Sequence, residues 1–271
     1  MTEPQVSVVM GVFNATHTLR EAVDSILKQT LTDYELVVVD DGSTDATPDL
    51  LAVYADIDPR VRVIQQENAG LTAALIRGCQ EARGRFIARQ DADDVSAPER
   101  LGKQVDRLKD DRNLVAVAST VEKIGPGGEP FQTFTGAADS AGATRGVVDG
   151  SGVNPVHGSV MFHREAYEAV GGYRRAFYCA QDCDLWLRML ADEPGRRLAF
   201  LPETLYFWRW SAENVSTTLM AAQAEFGRLA QASLEARNAG RGDRAELAAA
   251  AALAAQLPEL RRRAATPQLW Q

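Results

Sequence analysis

The first half of the chain alternates short apolar runs with stretches whose apolar residues recur at helical spacing. Val6-Ser7-Val8-Val9-Met10-Gly11-Val12 reads as a first strand, and Leu19, Val23, Ile26 and Leu27 then fall near one face of a helix. Leu36-Val37-Val38-Val39 has no polar alternation and three β-branched residues, as a central parallel strand covered on both faces requires. A helix to about Tyr54, a short strand over residues 61–66, a break at Asn68-Ala69-Gly70, a helix over 71–79 and a strand over 85–89 extend the pattern. Repeated β–α units with short joins predict an α/β fold, a doubly wound and mostly parallel sheet with right-handed crossovers.

Two of these strands end in acids. The run 36–39 continues into Asp40-Asp41-Gly42-Ser43-Thr44-Asp45, where Gly42 suits the turn out of the strand and Ser43 or Asp45 could cap the next helix. Open α/β sheets bind ligands at the carboxyl ends of their strands, which makes Asp40 and Asp41 candidate contacts. The stretch alone equally fits a helix start with surface acids. The strand at 85–89 empties into Gln90-Asp91-Ala92-Asp93-Asp94, three carboxylates in four positions, before Ser96 and Pro98 open a helix through Leu108. In a crevice such crowding either shifts titration or holds a metal ion.

The second half is less regular. Residues 114–119 form a further strand, and Gly125-Pro126-Gly127-Gly128 is a turn without the Lys-Ser/Thr ending of a phosphate loop. Residues 133–154 read as a long loop or an irregular helix beside the crevice. His157 to Arg164 reads as a strand leading into a helix over 165–170, and residues 182–190 as a short amphipathic helix with Asp182 at its N-terminus, where a carboxylate is favoured. Two short strands are expected over 198–200 and 204–210, then two helices over 221–236 and 245–257, read as a packed hairpin in preference to a membrane-binding element.

Composition narrows the classes. The formal charge of −8, from 29 basic and 37 acidic residues, argues against a generic nucleic-acid binder. Cys79, Cys179 and Cys183 form no CxxC framework, so a reducing interior is expected, and no signal-peptide pattern is evident. No run reaches the roughly 18 apolar residues of a membrane span. The expected location is the cytoplasm, with peripheral contact at the inner face of a membrane left open.

The ordered motifs resemble family-two inverting nucleotide-sugar glycosyltransferases of the GT-A fold. The resemblance runs from Val6-Ser7-Val8-Val9-Met10 and Asn14 through Val39-Asp40-Asp41-Gly42-Ser43-Thr44-Asp45, Asn68-Ala69-Gly70 and Asp91-Ala92-Asp93-Asp94. It continues through His157-Gly158-Ser159-Val160, Gly171-Gly172-Tyr173 and Gln181-Asp182-Cys183-Asp184-Leu185-Trp186-Leu187-Arg188. It implies a domain over 1–217, with a nucleotide-binding half to about 110 and an acceptor-binding half over 111–217. A C-terminal helical extension over 218–271 stands outside it, a candidate for self-association or membrane contact.

The same resemblance implies metal-dependent transfer of a sugar from a nucleotide-diphosphate donor, UDP before dTDP, with Mn²⁺ or Mg²⁺ as cofactor. The acceptor would be a hydroxyl on a glycan, lipid-linked saccharide or small molecule. By that likeness Asp40 meets the base beside Phe13 and Asn14, Asp91 approaches the ribose, Asp93 holds the metal and Asp182 is the general base, with Asp184 a competitor. Gln181 replaces the commoner glutamate before that base. His157 either lines the acceptor side or makes a structural hydrogen bond. Trp186 is core, pocket wall or sugar platform. Arg209, without the histidine that often follows it, either meets phosphate or braces the late loop through Ser216. A non-catalytic nucleotide-sugar-binding module is the alternative, and a sugar nucleotidyltransferase is disfavoured because no early glycine- and arginine-rich loop precedes a lysine.

Overall fold

The computed structural model describes residues 3–191, 193–211 and 219–264. Its sheet runs β3-β2-β1-β4-β8-β6-β9-β5 in space, with β7 paired to β6. The strands are β1 (Val6–Val12), β2 (Tyr34–Asp40), β3 (Val61–Gln65), β4 (Phe86–Asp91), β5 (Val95–Ser96), β6 (Leu114–Ile124), β7 (Pro130–Phe134), β8 (Met161–His163) and β9 (Arg197–Arg209). β3, β2, β1 and β4 are mutually parallel, β6 and β9 form a second long parallel ladder, and β8 joins the two groups antiparallel. Every residue of β1 and β2 is buried, which is why their sequences lack alternation.

Helices cover both faces. α1 (Leu19–Leu27), α2 (Thr47–Ile57) and α4 (Arg100–Leu108) enclose one core with Val8, Met10, Leu36 and Val38. On the other face α3 (Leu71–Glu81), α5 (Ser140–Val148), α6 (Arg164–Ala169) and α7 (Gln181–Ala191) pack on Val9, Ile87, Val115 and Phe162. Successive strand residues point to opposite faces, so Val8 and Val9 divide between the two cores. α8 (Met220–Asn238) and α9 (Arg244–Ala264) close a third cluster against α7 through Phe177, Leu187, Phe226 and Leu234. No helix among the described residues is long and apolar enough to cross a membrane.

The structure differs from the sequence reading in four places. Residues 133–154 contain α5, whose first turn is capped by Asp139 accepting from Gly142 N–H at 2.7 Å. β6 runs five residues further than expected and pairs with the exposed hairpin strand β7. The two expected late strands are one, β9, whose register slips against β6 between Ser119 and Val121. His157–Ser159 is a 3₁₀ turn, and the strand after it is only three residues long.

Candidate active site

The carboxyl ends of β1, β2 and β4 and the amino end of α7 surround a cavity of about 1100 Å³. Phe13, half exposed, and Asn14 border it from the loop after β1. Asn14 has a left-handed backbone (φ 51°), and its Oδ1 accepts from Thr44 N–H at 2.8 Å while its own N–H donates to Ser43 Oγ at 2.9 Å. This clasp joins the loops after β1 and β2.

At the end of β2 it is Asp41, the residue after the strand, that borders the cavity, and not Asp40. Strand alternation turns the two side chains to opposite sides. Asp40 is 2 % exposed, does not border the cavity, and accepts from Ser43 N–H at 3.0 Å. Asp41 Oδ1 accepts from Gln66 Nε2 (2.6 Å) and Ala69 N–H (2.9 Å), and Oδ2 accepts from Gly70 N–H (2.8 Å). Gly70 has φ +87°, and a Cβ there would lie 2.9 Å from the Tyr178 ring, so glycine is needed both for the turn and for the close approach.

At the end of β4 the charges are interleaved. Arg89 has no exposed surface. It donates to Val9 O (2.9 Å), Gln90 O (2.8 Å) and the carboxylate of Asp91. Burial, then the neighbouring Asp91, push the Asp93 carboxyl up to about 6. Asp94, 1 % exposed, is also raised well above its ordinary value by burial and by Asp93, against the pull of Arg209 N–H (2.8 Å) and the Tyr206 hydroxyl. Tyr206 Oη in turn accepts from Asp91 N–H at 3.2 Å.

Two buried groups behind these acids fix their places. Arg100 donates to Gly158 O (2.6 Å) and Arg89 O (2.8 Å), and burial pushes its guanidinium down to about 10. A Cβ on Gly158 would sit 1.9 Å from Tyr206 Oη and 2.9 Å from Asp91 Oδ2, so no larger residue fits. Arg209 ends β9 with Nε donating to Asp93 O (3.0 Å), Nη1 to Pro126 O (2.8 Å) and Nη2 to Glu21 Oε2 (2.6 Å). Its guanidinium therefore clamps the acidic loop between α1 and the 125–128 turn. Ser216 and the loop that Arg209 was expected to brace lie outside the described residues.

Across the cavity, Ala180 takes a left-handed backbone (φ 53°) and the chain turns into α7, whose first residues Gln181, Asp182 and Cys183 border the space. Burial raises the Asp182 carboxyl, Cys183 N–H pulls it down, and the charge on Asp91, which borders the same cavity, raises it again. Asp184 is elsewhere: 1 % exposed, it accepts from Arg188 Nη2 (2.7 Å) and Nε (3.0 Å) and from Arg174 Nε (3.0 Å). It is a structural counter-ion and does not border the cavity. His157 does, with Nε2 2.7 Å from Tyr173 Oη, and burial then Arg89 hold its imidazole neutral. Trp186 is 1 % exposed and packs edge-on against Phe162 and His157, a core residue behind the wall.

Among the described residues no three His, Cys, Asp or Glu side chains converge as a ready-made metal cage. The acids at the end of β4 nevertheless fit a hard cation that takes one or two carboxylates and fills its remaining positions with phosphate and water. Arg89, Arg100 and Tyr206 are the supporting residues that the sequence reading does not single out. Arg89 was detectable, since it stands two residues before Asp91 on one strand and so on the same face.

Residues 7–171 match the family described as Glycosyl transferase family 2. The chain is 37 % identical over 209 residues to the putative glycosyltransferase EpsE of Bacillus subtilis (strain 168), covering 75 % of this chain and 72 % of that protein. It is 28 % identical over 198 residues to the chondroitin synthase of Escherichia coli, spanning 72 % of this chain and 28 % of that one. In fold it is similar to S. aureus TarS 1-349 in complex with UDP, with a TM-score of 0.61 and 19 % identity over 86 % of this chain and 71 % of that one. It is also similar to the mannosyltransferase PcManGT from Pyrobaculum calidifontis in complex with GDP-Man and Mn²⁺, with a TM-score of 0.64 and 21 % identity over 98 % and 74 % of the two chains. The acids at the ends of β2 and β4, the mixed sheet that carries them and the match over most of its length give one conclusion: the chain belongs to glycosyl transferase family 2 and is a glycosyltransferase of the GT-A fold.

Proposed function

We propose that the cavity binds a UDP-sugar with a divalent cation and transfers the sugar, with inversion, to an acceptor hydroxyl. The observation that carries this reading is the meeting of Asp91, Asp93 and Asp182 on one cavity, two acids from the end of β4 and one from the start of α7. The first 110 residues would hold the donor and residues 111–217 the acceptor.

The base would lie against Phe13 and the Asn14 loop. Asp41 is held ready by three donors, with only one of them on Oδ2, so that oxygen can accept from an N–H on a base edge, as uracil presents. Asp40 then acts one step back, through Ser43. Asp93, with Asp91 beside it, would hold Mn²⁺ or Mg²⁺, which when bound neutralises charge gathering on the departing diphosphate.

Asp182 takes the acceptor proton. As the hydroxyl oxygen bonds to the anomeric carbon from the side opposite the nucleotide, the bond from that carbon to the phosphate oxygen breaks and the hydroxyl proton passes to the carboxylate. Neutral His157 and Gln181 border the acceptor side and can offer hydrogen bonds without adding charge. Arg209 serves by positioning the Asp93 loop.

A screen of UDP-, dTDP- and GDP-sugars for Mn²⁺-dependent hydrolysis tests the reading. Hydrolysis of a UDP-sugar by the wild type, lost in Asp182→Asn while UDP still binds, is the expected result. Release of pyrophosphate from a nucleoside triphosphate and sugar phosphate would point instead to a nucleotidyltransferase.

A further inference from the structure

α8 has two faces. Ala222, Phe226, Ala230 and Leu234, spaced by four, are buried, and Phe226 packs on Phe177 with ring centres 6.4 Å apart. The other face borders open space. Gln223, Ala224 and Gly227 line the main cavity, while Ala224, Gly227, Arg228 and Gln231 line a second recess of about 300 Å³ against α5 and α7. Asn154 and Cys183 border both spaces, so the recess continues the cavity immediately beyond Asp182.

Gly227 stands in the middle of α8, where glycine weakens a helix. Packing does not require it, because nothing lies within 4 Å of a Cβ built there. Gly227 borders both spaces, so a side chain there would stand at their boundary. The helix itself is anchored: Arg174, already paired with Asp184 of α7, donates to Ser233 Oγ (3.0 Å) and pairs with Asp243 at the start of α9, which also accepts from Ser233 Oγ at 2.7 Å.

The recess has an apolar floor from Val147 and Leu187 and a polar rim from Asp149, Asn154, Arg228 and Gln231. Two rim groups are fixed in advance. Asp149 Oδ1 accepts from Ser151 N–H (2.9 Å) and Oγ–H (2.6 Å), and Gln231 Nε2 donates to Val148 O (3.1 Å). A pyranose ring matches such a surface, with C–H faces for the floor and hydroxyls for the rim. The volume is at the small end of ligand sites, roughly 300–1000 Å³, and so suits one ring rather than a chain of them.

Resting on the transferase reading of the main cavity, we propose that this recess binds a second ring of the acceptor, so that the acceptor is a saccharide of at least two units. The test uses the full chain, the nucleotide sugar that it hydrolyses, and a panel of methyl monosaccharides with the matching disaccharides. Wild-type kcat/KM should favour disaccharides by at least tenfold. Gly227→Leu, which puts a bulky side chain at the boundary of the two spaces, and Arg228→Ala, at an exposed position that does not endanger folding, should each reduce that ratio by about tenfold or more. Equal use of both acceptor classes, or transfer to neither while the donor is still hydrolysed, overturns the second-ring site. An unchanged ratio in Arg228→Ala and in a folded Gly227→Leu overturns it as well. Failure of the wild type to bind UDP or hydrolyse any donor overturns instead the reading of the main cavity on which it rests.

Discussion

Arg89 donates a hydrogen bond to the carboxylate of Asp91, two residues along the same strand, from a position with no exposed surface. The same guanidinium binds Val9 O and Gln90 O, so one planar fork ties β1, β4 and the first acid of the site. Lysine has one nitrogen in place of the fork and cannot reach all three acceptors. Arg89→Lys should therefore keep the fold at reduced melting temperature and weaken Mn²⁺–UDP binding about tenfold, a loss near 1.4 kcal/mol. Calorimetric titration of the variant checks this, and an unchanged affinity would remove Arg89 from the site.

Asp93 gives the site a pH signature. Its carboxyl lies near 6, above the ordinary carboxylate value, because of burial and Asp91. The folded protein therefore binds this proton more tightly than the unfolded chain, so Asp93 contributes stability below about pH 4 that is lost as pH rises through 6. Metal binding needs the deprotonated form and runs the other way. Mn²⁺ affinity should fall by up to about tenfold per pH unit below 6, following release of one proton. Asp93→Asn should lose Mn²⁺ binding and with it this pH dependence. The metal-free variant should also show less fall in melting temperature between pH 4 and 7 than the wild type does.

For Asp182, burial followed by the charge on Asp91 raises the carboxyl, and a base must be deprotonated to act. Transfer rate should rise with pH through that raised value and then level off. Asp182→Asn should lower kcat by about 10²- to 10⁴-fold, the usual range for a general base, with UDP affinity within about twofold of wild type. A variant retaining more than a tenth of the wild-type rate would transfer the role elsewhere.

Asp184 separates structure from chemistry on the same helix. Removing it takes the carboxylate partner from buried Arg188 and one of two from Arg174, and breaking a buried pair costs about 3–5 kcal/mol. Asp184→Ala should thus lower the melting temperature sharply, while Asp182→Asn should not. Thermal unfolding of the two variants side by side distinguishes them, and equal stability would place Asp184 outside the structural ion-pair role.

Much of this architecture was legible in the sequence because β1, β2 and β4 are short, almost wholly buried and separated by clear turns. β1, β2 and β4 and the helices α1, α3, α4 and α7 stand within two residues of where apolar spacing put them. α5 and β7 were hidden, since Ser140–Val148 is mostly small residues and β7 is an exposed edge strand with little apolar contrast. The late strand appeared broken because Pro202 and Glu203 interrupt its pattern, whereas the backbone absorbs them as a register slip against β6. Asp91, Asp93 and Asp182, to which the family resemblance points, border one cavity. The choice between Asp40 and Asp41 was not legible, because adjacent acids at a strand end differ only in which side of the sheet they face. The buried support from Arg100, Tyr206 and Gly158 depends on contacts such as Arg100 to Gly158, 58 positions apart, and Tyr206 to Asp91, 115 apart, which no local pattern encodes.

The most direct test of the account is titration of UDP into the protein with Mn²⁺ and again with excess EDTA. UDP should bind only with the metal, and binding should disappear both in EDTA and in Asp93→Ala. Equal UDP affinity with and without metal, or no UDP binding under either condition, would contradict it.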